Sequence, residues 1–175
     1  MSRVTKKITY IHGPVLALEN MADDRAAAIM AGAFLEYNLG FALRGRMRDM
    51  TSLEIESVFD NHGHGALNTF SQKIWIGYAL NLYGLKTRKE LLILKDVRNR
   101  FAHEPEEIDF SHPEIDELCK KLGTPKKLSI LETKSEENRP RVRYMDTVHF
   151  FAARFHILGE KHVQRPGDPP NLDID

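Results

Sequence analysis

One cysteine, at position 119, is the whole thiol content of this chain of 175 residues. No intramolecular disulfide can form, and a zinc site built on four thiolates is excluded. Between Leu118 and Leu122, Cys119 reads as buried filler rather than as a nucleophile. An excess of charge of either sign is also missing. Lys and Arg together number 25, Asp and Glu together number 25, and the formal net charge is zero. Proteins that grip duplex DNA through its phosphates usually carry a basic excess, so direct DNA binding is not expected. Nor is there a helix-turn-helix pattern with a basic recognition helix. No apolar run approaches the roughly 20 residues of a membrane span, and MSRVTKKITY is followed by no apolar core or cleavage site. The expectation is therefore a cytoplasmic protein with no membrane partner. Glycine-rich phosphate loops and serine elbows are absent as well, and no cofactor or metal is expected.

What is present is helical periodicity. With 42% hydrophobic and 29% charged residues the composition is globular. Asp23 is placed to cap a helix, with Asp24 at its positive end, and the run from Arg25 to about Met47 is rich in Ala, Leu, Met and Phe. It is apolar over so much of its circumference that it belongs in the middle of a bundle. Gly32 and Gly40 weaken it, in exchange for letting a neighbouring helix come close. A short amphipathic piece covers Ser52 to Phe59. Asn68 or Thr69 can cap a helix that runs to Gly84, and Thr87 with Glu90 has the spacing of a capping box for the next. That helix must end near His103, because Pro105 disfavours helix at Glu104.

Ser111 to Leu122 reads as a further helix with Pro113 in its first turn. Pro125 to Pro140 reads as a polar loop, with Leu128 to Leu131 a weak strand candidate, and Val142 to about His162 as the last helix. The sequence thus predicts an all-α, single-domain helical bundle. Residues 1–22 form an arm, 23–163 the bundle, and 164–175, rich in Pro and acidic residues, a disordered tail.

The most informative chemistry is the run Arg98-Asn99-Arg100-Phe101-Ala102-His103 at a helix end. Asn99 and His103 lie one turn apart on the same face, whereas Arg98 stands about 140° from His103 on a regular helix. Glu36, an acid embedded in the apolar stretch Ala31 to Phe41, would be costly to bury without a cation. Arg98 and Arg100 are its expected partners. Glu36, Arg98, Asn99 and Arg100 then form a polar latch between two core helices. His103 in a last turn has a structural use too, on free carbonyls. Other candidates are weaker. His62 and His64 lie in a glycine turn without a third ligand, and His149 and His156 share a helix face as amphipathic filler. Lys126, Lys127, Arg139, Arg141 and Arg143 flank a loop that also carries Glu132, Glu136 and Glu137.

Two resemblances attach to these residues. The segment Gly65 to Ile74, continuing through Tyr78-Ala79-Leu80 and Leu82 to Leu85, resembles the mannitol operon repressor family. The likeness reaches back to Phe34-Leu35-Glu36 and forward through Arg98 to Ile115, covering roughly Asp23 to Leu122. It implies an all-helical fold and a regulatory role in repressing a sugar-alcohol uptake operon, through a protein partner or a homodimer. Arg98, Asn99 and His103 also resemble the signature of the HEPN superfamily of nucleic-acid-associated helical domains. That likeness implies a metal-independent RNase, commonly with its site composed across a dimer. There His103 would take the proton of a ribose 2′-hydroxyl, Arg98 would neutralise the phosphate and Asn99 would orient either group. The latch without catalysis is the first reading and the RNase the alternative.

Overall fold

The computed structural model describes residues 17–18, 20–60, 65–123 and 139–160. Among them the chain forms six helices and no strand: α1 (Asp24–Arg44), α2 (Ser52–Phe59), α3 (Phe70–Ala79), α4 (Leu85–His103), α5 (Pro113–Lys120) and α6 (Arg139–Glu160). This is an all-α bundle. The 61–64 turn with His62 and His64, the Leu128–Leu131 segment, Lys126, Lys127, His162 and the 164–175 tail lie outside the described residues.

α1 starts where the sequence says it should, because the Asp23 carboxylate accepts the Ala26 N–H at 2.6 Å. Length and composition would let α1 cross a membrane, but its most apolar window is 56% buried within the bundle. It is the central helix, touching α3, α4 and α6. α6 runs beside it in the same direction. Arg141 binds Asp24, the Tyr144 hydroxyl donates to the Ala28 carbonyl at 3.0 Å, and His156 stacks on Phe41 at 5.3 Å. At the far end a Cβ on Gly159 would come within 2.3 Å of the Phe41 ring, so only glycine admits this approach. The small Ala27, Ala28 and Ala31 keep the two helices close, and Leu35, Leu39 and Leu43 fill the space between them and α4 with Leu91, Leu94, Val97, Tyr144, Val148 and Phe155. Leu18, assigned by pattern to an arm, is also buried in this core.

α1 ends at Arg44 and the fifth helix is confined to Pro113–Lys120, both shorter than the periodicity, and three other element ends differ from it for local reasons. α3 stops at Ala79 rather than Gly84. Asn81 takes a left-handed φ of 55° and the Leu82 N–H returns to the Gly77 carbonyl at 2.9 Å, which closes the helix end. Tyr83 then folds back to donate to the Ile74 carbonyl at 2.8 Å, over Gly77, where a Cβ would sit 2.7 Å from its hydroxyl. α4 begins at Leu85 with Gly84 as its N-cap, so Thr87 and Glu90 form no capping box. Glu90 instead accepts the Gly123 N–H beyond α5, and burial raises its pKa. α6 begins at Arg139, ahead of Val142, because Pro140 is tolerated in a first turn that needs no N–H partner. Capping boxes do form at Thr51 with Glu54 and at Thr69 with Gln72.

Candidate functional site: a charged cluster beneath a cleft

Three core helices each send one charged side chain to a common point. From α1, Glu36 places Oε1 2.7 Å from Lys73 Nζ of α3 and Oε2 2.9 Å from an Arg98 terminal nitrogen of α4. The other Arg98 terminal nitrogen donates to Asn99 Oδ1 at 3.0 Å. Side-chain exposure is 5% for Lys73, 14% for Glu36 and 26% for Arg98, so the cluster is largely withdrawn from water. Burial explains the pairing: a carboxylate in this position is stable only with cations and hydrogen bonds around it. Gly32 lets Arg98 get there. A Cβ at Gly32 would fall 2.6 Å from Arg98 Cγ, so the arginine stem lies directly across the α1 backbone.

Arg100 is not part of this cluster. It pairs with Glu104 at 3.3 Å and with Glu114 at 2.6 Å, tying α4 to α5 on the outside of the bundle. Two helical steps turn its side chain about 200° away from Arg98, which is why one carboxylate cannot serve both. His103 is exposed at the last position of α4. The helix stays regular to that residue, and Arg25 of α1 holds the chain just beyond it by donating to the Glu104 carbonyl at 2.9 Å and to the Glu106 carbonyl. Arg98 and His103 therefore keep their angular separation of about 140°.

The remaining candidates fall into structural places. His149 is buried on α6 and burial pushes its pKa down to about 4, while His156 stacks on Phe41 with Glu160 3.7 Å away. Among the described residues no three of His, Cys, Asp or Glu gather as a metal site requires. Cys119 is fully buried, its thiol pKa pushed up to about 12 by desolvation. Arg141, taken from sequence as part of a basic flank, is drawn to Asp24 and the Met21 carbonyl.

Over the cluster lies a cleft of about 760 Å³. Glu36, Lys73 and Arg98 line it together with Gly40, Arg44 and Tyr37 of α1, while Ile55, Glu56 and Phe59 close the opposite side from α2. α2 buries none of its own residues fully and is held by backbone hydrogen bonds from Ala66 and Leu67 to Ser57 and Val58. Sequence reasoning overlooked both Lys73 and the cleft. The one available signal was a lysine set between Phe70 and Ile74 on the apolar face of α3, a position where an unpaired ammonium would be costly. Set against known proteins, this chain matches no family model, no curated protein and no solved structure.

Proposed function

We propose that the protein is a non-catalytic regulatory module of the kind implied by its resemblance to the mannitol operon repressor family, acting through a protein partner or a second copy of itself. One observation carries the reading. The Arg98 guanidinium is committed to Glu36 and Asn99 inside the bundle, while His103 stands exposed about 140° around the same helix. A guanidinium held by an internal carboxylate locks helices together, and to serve a phosphate beside His103 it would have to leave that carboxylate behind. The zero net charge supports contact with proteins over sequence-specific contact with duplex DNA.

The test is direct. Purified protein incubated with mixed RNA, with and without a chelator, is expected to leave the RNA intact, and His103→Ala is expected to behave identically. Metal-independent cleavage lost in His103→Ala would overturn the reading.

A second reading has its own support, because Asn99 and His103 share one side of α4 at its open end. Two chains related by a two-fold axis could there combine an Arg98 and a His103 from different copies. Tyr144 of α6 offers no ring for stacking on a base there: it is buried, with its hydroxyl on the Ala28 carbonyl. RNase activity restored by mixing Arg98→Ala and His103→Ala chains would establish the composite site.

A further inference from the structure

We propose that the outer face of the α3–α4 hairpin, centred on Arg88, docks an acidic amphipathic helix of a partner protein, whose carboxylate is received by the Arg88 guanidinium. The proposal names a partner surface for the regulatory module and rests on that reading.

Arg88 of α4 reaches across to α3 and lies over two rings, 4.5 Å from the centroid of Trp75 and 4.3 Å from that of Tyr78. Cation–π attraction holds the guanidinium there. Its Nε is buried with no hydrogen-bond partner, and among the described residues no carboxylate pairs with it. Arg98, Arg100 and Arg141, by contrast, each meet an acid of the same chain. Covering two rings does not need a guanidinium fork. One that is fixed in place and still unpaired is pre-organised for a carboxylate, which it matches with two parallel hydrogen bonds.

The hairpin itself has no acid to offer. Between Asp60 and Glu90 the sequence contains no Asp or Glu, whereas Lys86, Arg88 and Lys89 crowd the start of α4. Glu90 is buried and accepts the Gly123 N–H, and the charge it shares is that of Lys86, which leaves Arg88 and Lys89 unbalanced. Cations at the positive end of a helix are unfavourably placed, and a negative charge brought from outside relieves them.

Apolar side chains complete the surface. Leu85, Arg88 and Leu92 follow one another at steps of three and four along α4 and so form one stripe, with Trp75 and Tyr78 beside its middle. Trp75 and Leu85 are half-exposed. Trp, Tyr and Arg are the residues in which binding energy concentrates at protein interfaces. The stripe also sets the pattern of its occupant. Leu85 and Leu92 stand about 10 Å apart along the axis, so a partner helix with apolar residues at the same seven-residue spacing and an acid between them lies along both. RNA suits this face less well. Arg88 already covers one face of each ring on which a base would stack, and the flanking leucines offer nothing to a phosphate.

Trp75 is the only tryptophan in the chain, so its fluorescence reports directly on this face. The experiment titrates the full chain with a synthetic Ala-rich helical peptide of about 15 residues that carries two Leu at the seven-residue spacing and a Glu between them. The same peptide with Gln or Lys in place of Glu, and single-stranded polyuridylate, are titrated beside it. The Glu peptide is expected to bind saturably, to move Trp75 emission to shorter wavelength, and to bind about tenfold or more tightly than the Gln peptide. Arg88→Met keeps an apolar stem over the rings and is expected to bind the Glu and Gln peptides equally. Arg88→Glu is expected to reverse the preference toward the Lys peptide, with circular dichroism checking that each variant is folded. No saturable response to the Glu peptide, equal binding of the Glu and Gln peptides by the native chain, or a folded Arg88→Met chain that still prefers Glu would each overturn the proposal. So would a response to polyuridylate at lower concentration than to the Glu peptide, which assigns the face to RNA, or Trp75 emission that changes as the native chain alone is diluted, which assigns it to a second copy. RNA cleavage dependent on His103, about 22 Å further along α4, would end the non-catalytic reading, while the peptide titration would still report on the Arg88 face by itself.

Discussion

The two faces of α1 do opposite things with the same backbone. One face carries Ala27, Ala28, Ala31, Leu35, Leu39 and Leu43, all without exposure, and it meets α4 and α6 through close, dry packing. The other carries Ala33, Glu36, Tyr37, Gly40 and Arg44 and opens onto a cleft. The first face is organised by volume, so any change in size is felt. The second is organised by charge and by space, with a carboxylate held between two helices and room left beside it. A single helix thus supplies both the spine of the bundle and one wall of its candidate site. Hydrophobic periodicity reports the spine and is silent about the wall.

The largest contrast is expected from truncation on the two faces. Leu39→Ala should lower the unfolding free energy by about 3 kcal/mol through lost burial and a residual cavity, whereas Tyr37→Ala, on the open face, should change it by less than about 0.5 kcal/mol. Chemical denaturation of both variants checks this, and equal losses would erase the distinction between the faces.

The packed side is also expected to be the acid-sensitive one. His149 on α6 has a folded-state pKa near 4, held down by burial, against an ordinary value of 6.5. Its neutral form is the one the core accepts. Its contribution is therefore fully present above pH 6.5 and is lost as pH falls from 6.5 toward 4, to a total of about 3 kcal/mol. Denaturant melts from pH 7 to pH 4 should show that much less loss in His149→Phe than in the native chain. Parallel curves for the two proteins would contradict the assignment.

The finest test uses two glycines eight residues apart on α1. Gly32→Ala drives a Cβ into the Arg98 stem and should cost about 1–2 kcal/mol. Gly40→Ala meets open space and should stabilise by about 0.5–1 kcal/mol through helix propensity alone. Thermal melts of the pair measure the difference in sign directly.

These residues also mark what was legible in the sequence. The Asp23 cap, the apolar stripe of α1 and the need of Glu36 for a cation all follow from local rules, and the Arg98 partnership follows from one strong cost, that of a buried carboxylate. Local rules could not separate Gly32 from Gly40, because the difference lies in what another helix places opposite each. Arg100 was grouped with the latch because adjacent cations look alike in sequence, whereas helical rotation sends it to Glu104 and Glu114. The Thr87 and Glu90 spacing fits a capping box, but Gly123, 33 residues further on, claims the glutamate. Lys73 stayed unnoticed because its partner is 37 residues away. At Gly32, Glu90 and Lys73 a contact distant along the chain outweighed a pattern visible within one turn.

The side-by-side course of α1 and α6 has a consequence for how the chain is made. Their contacts join residues 116 and 117 positions apart, so the first long helix finds its main cover only after nearly the whole bundle has been synthesised. At about 5–20 residues per second the ribosome takes roughly 6–23 s to bridge that gap. Throughout that interval the Ala and Leu face of α1 is a sticky, half-covered surface on a nascent chain. Cells producing this protein must shield it, and ribosomes stalled before α6 should hold a chain that recruits chaperones and is readily cleaved by protease.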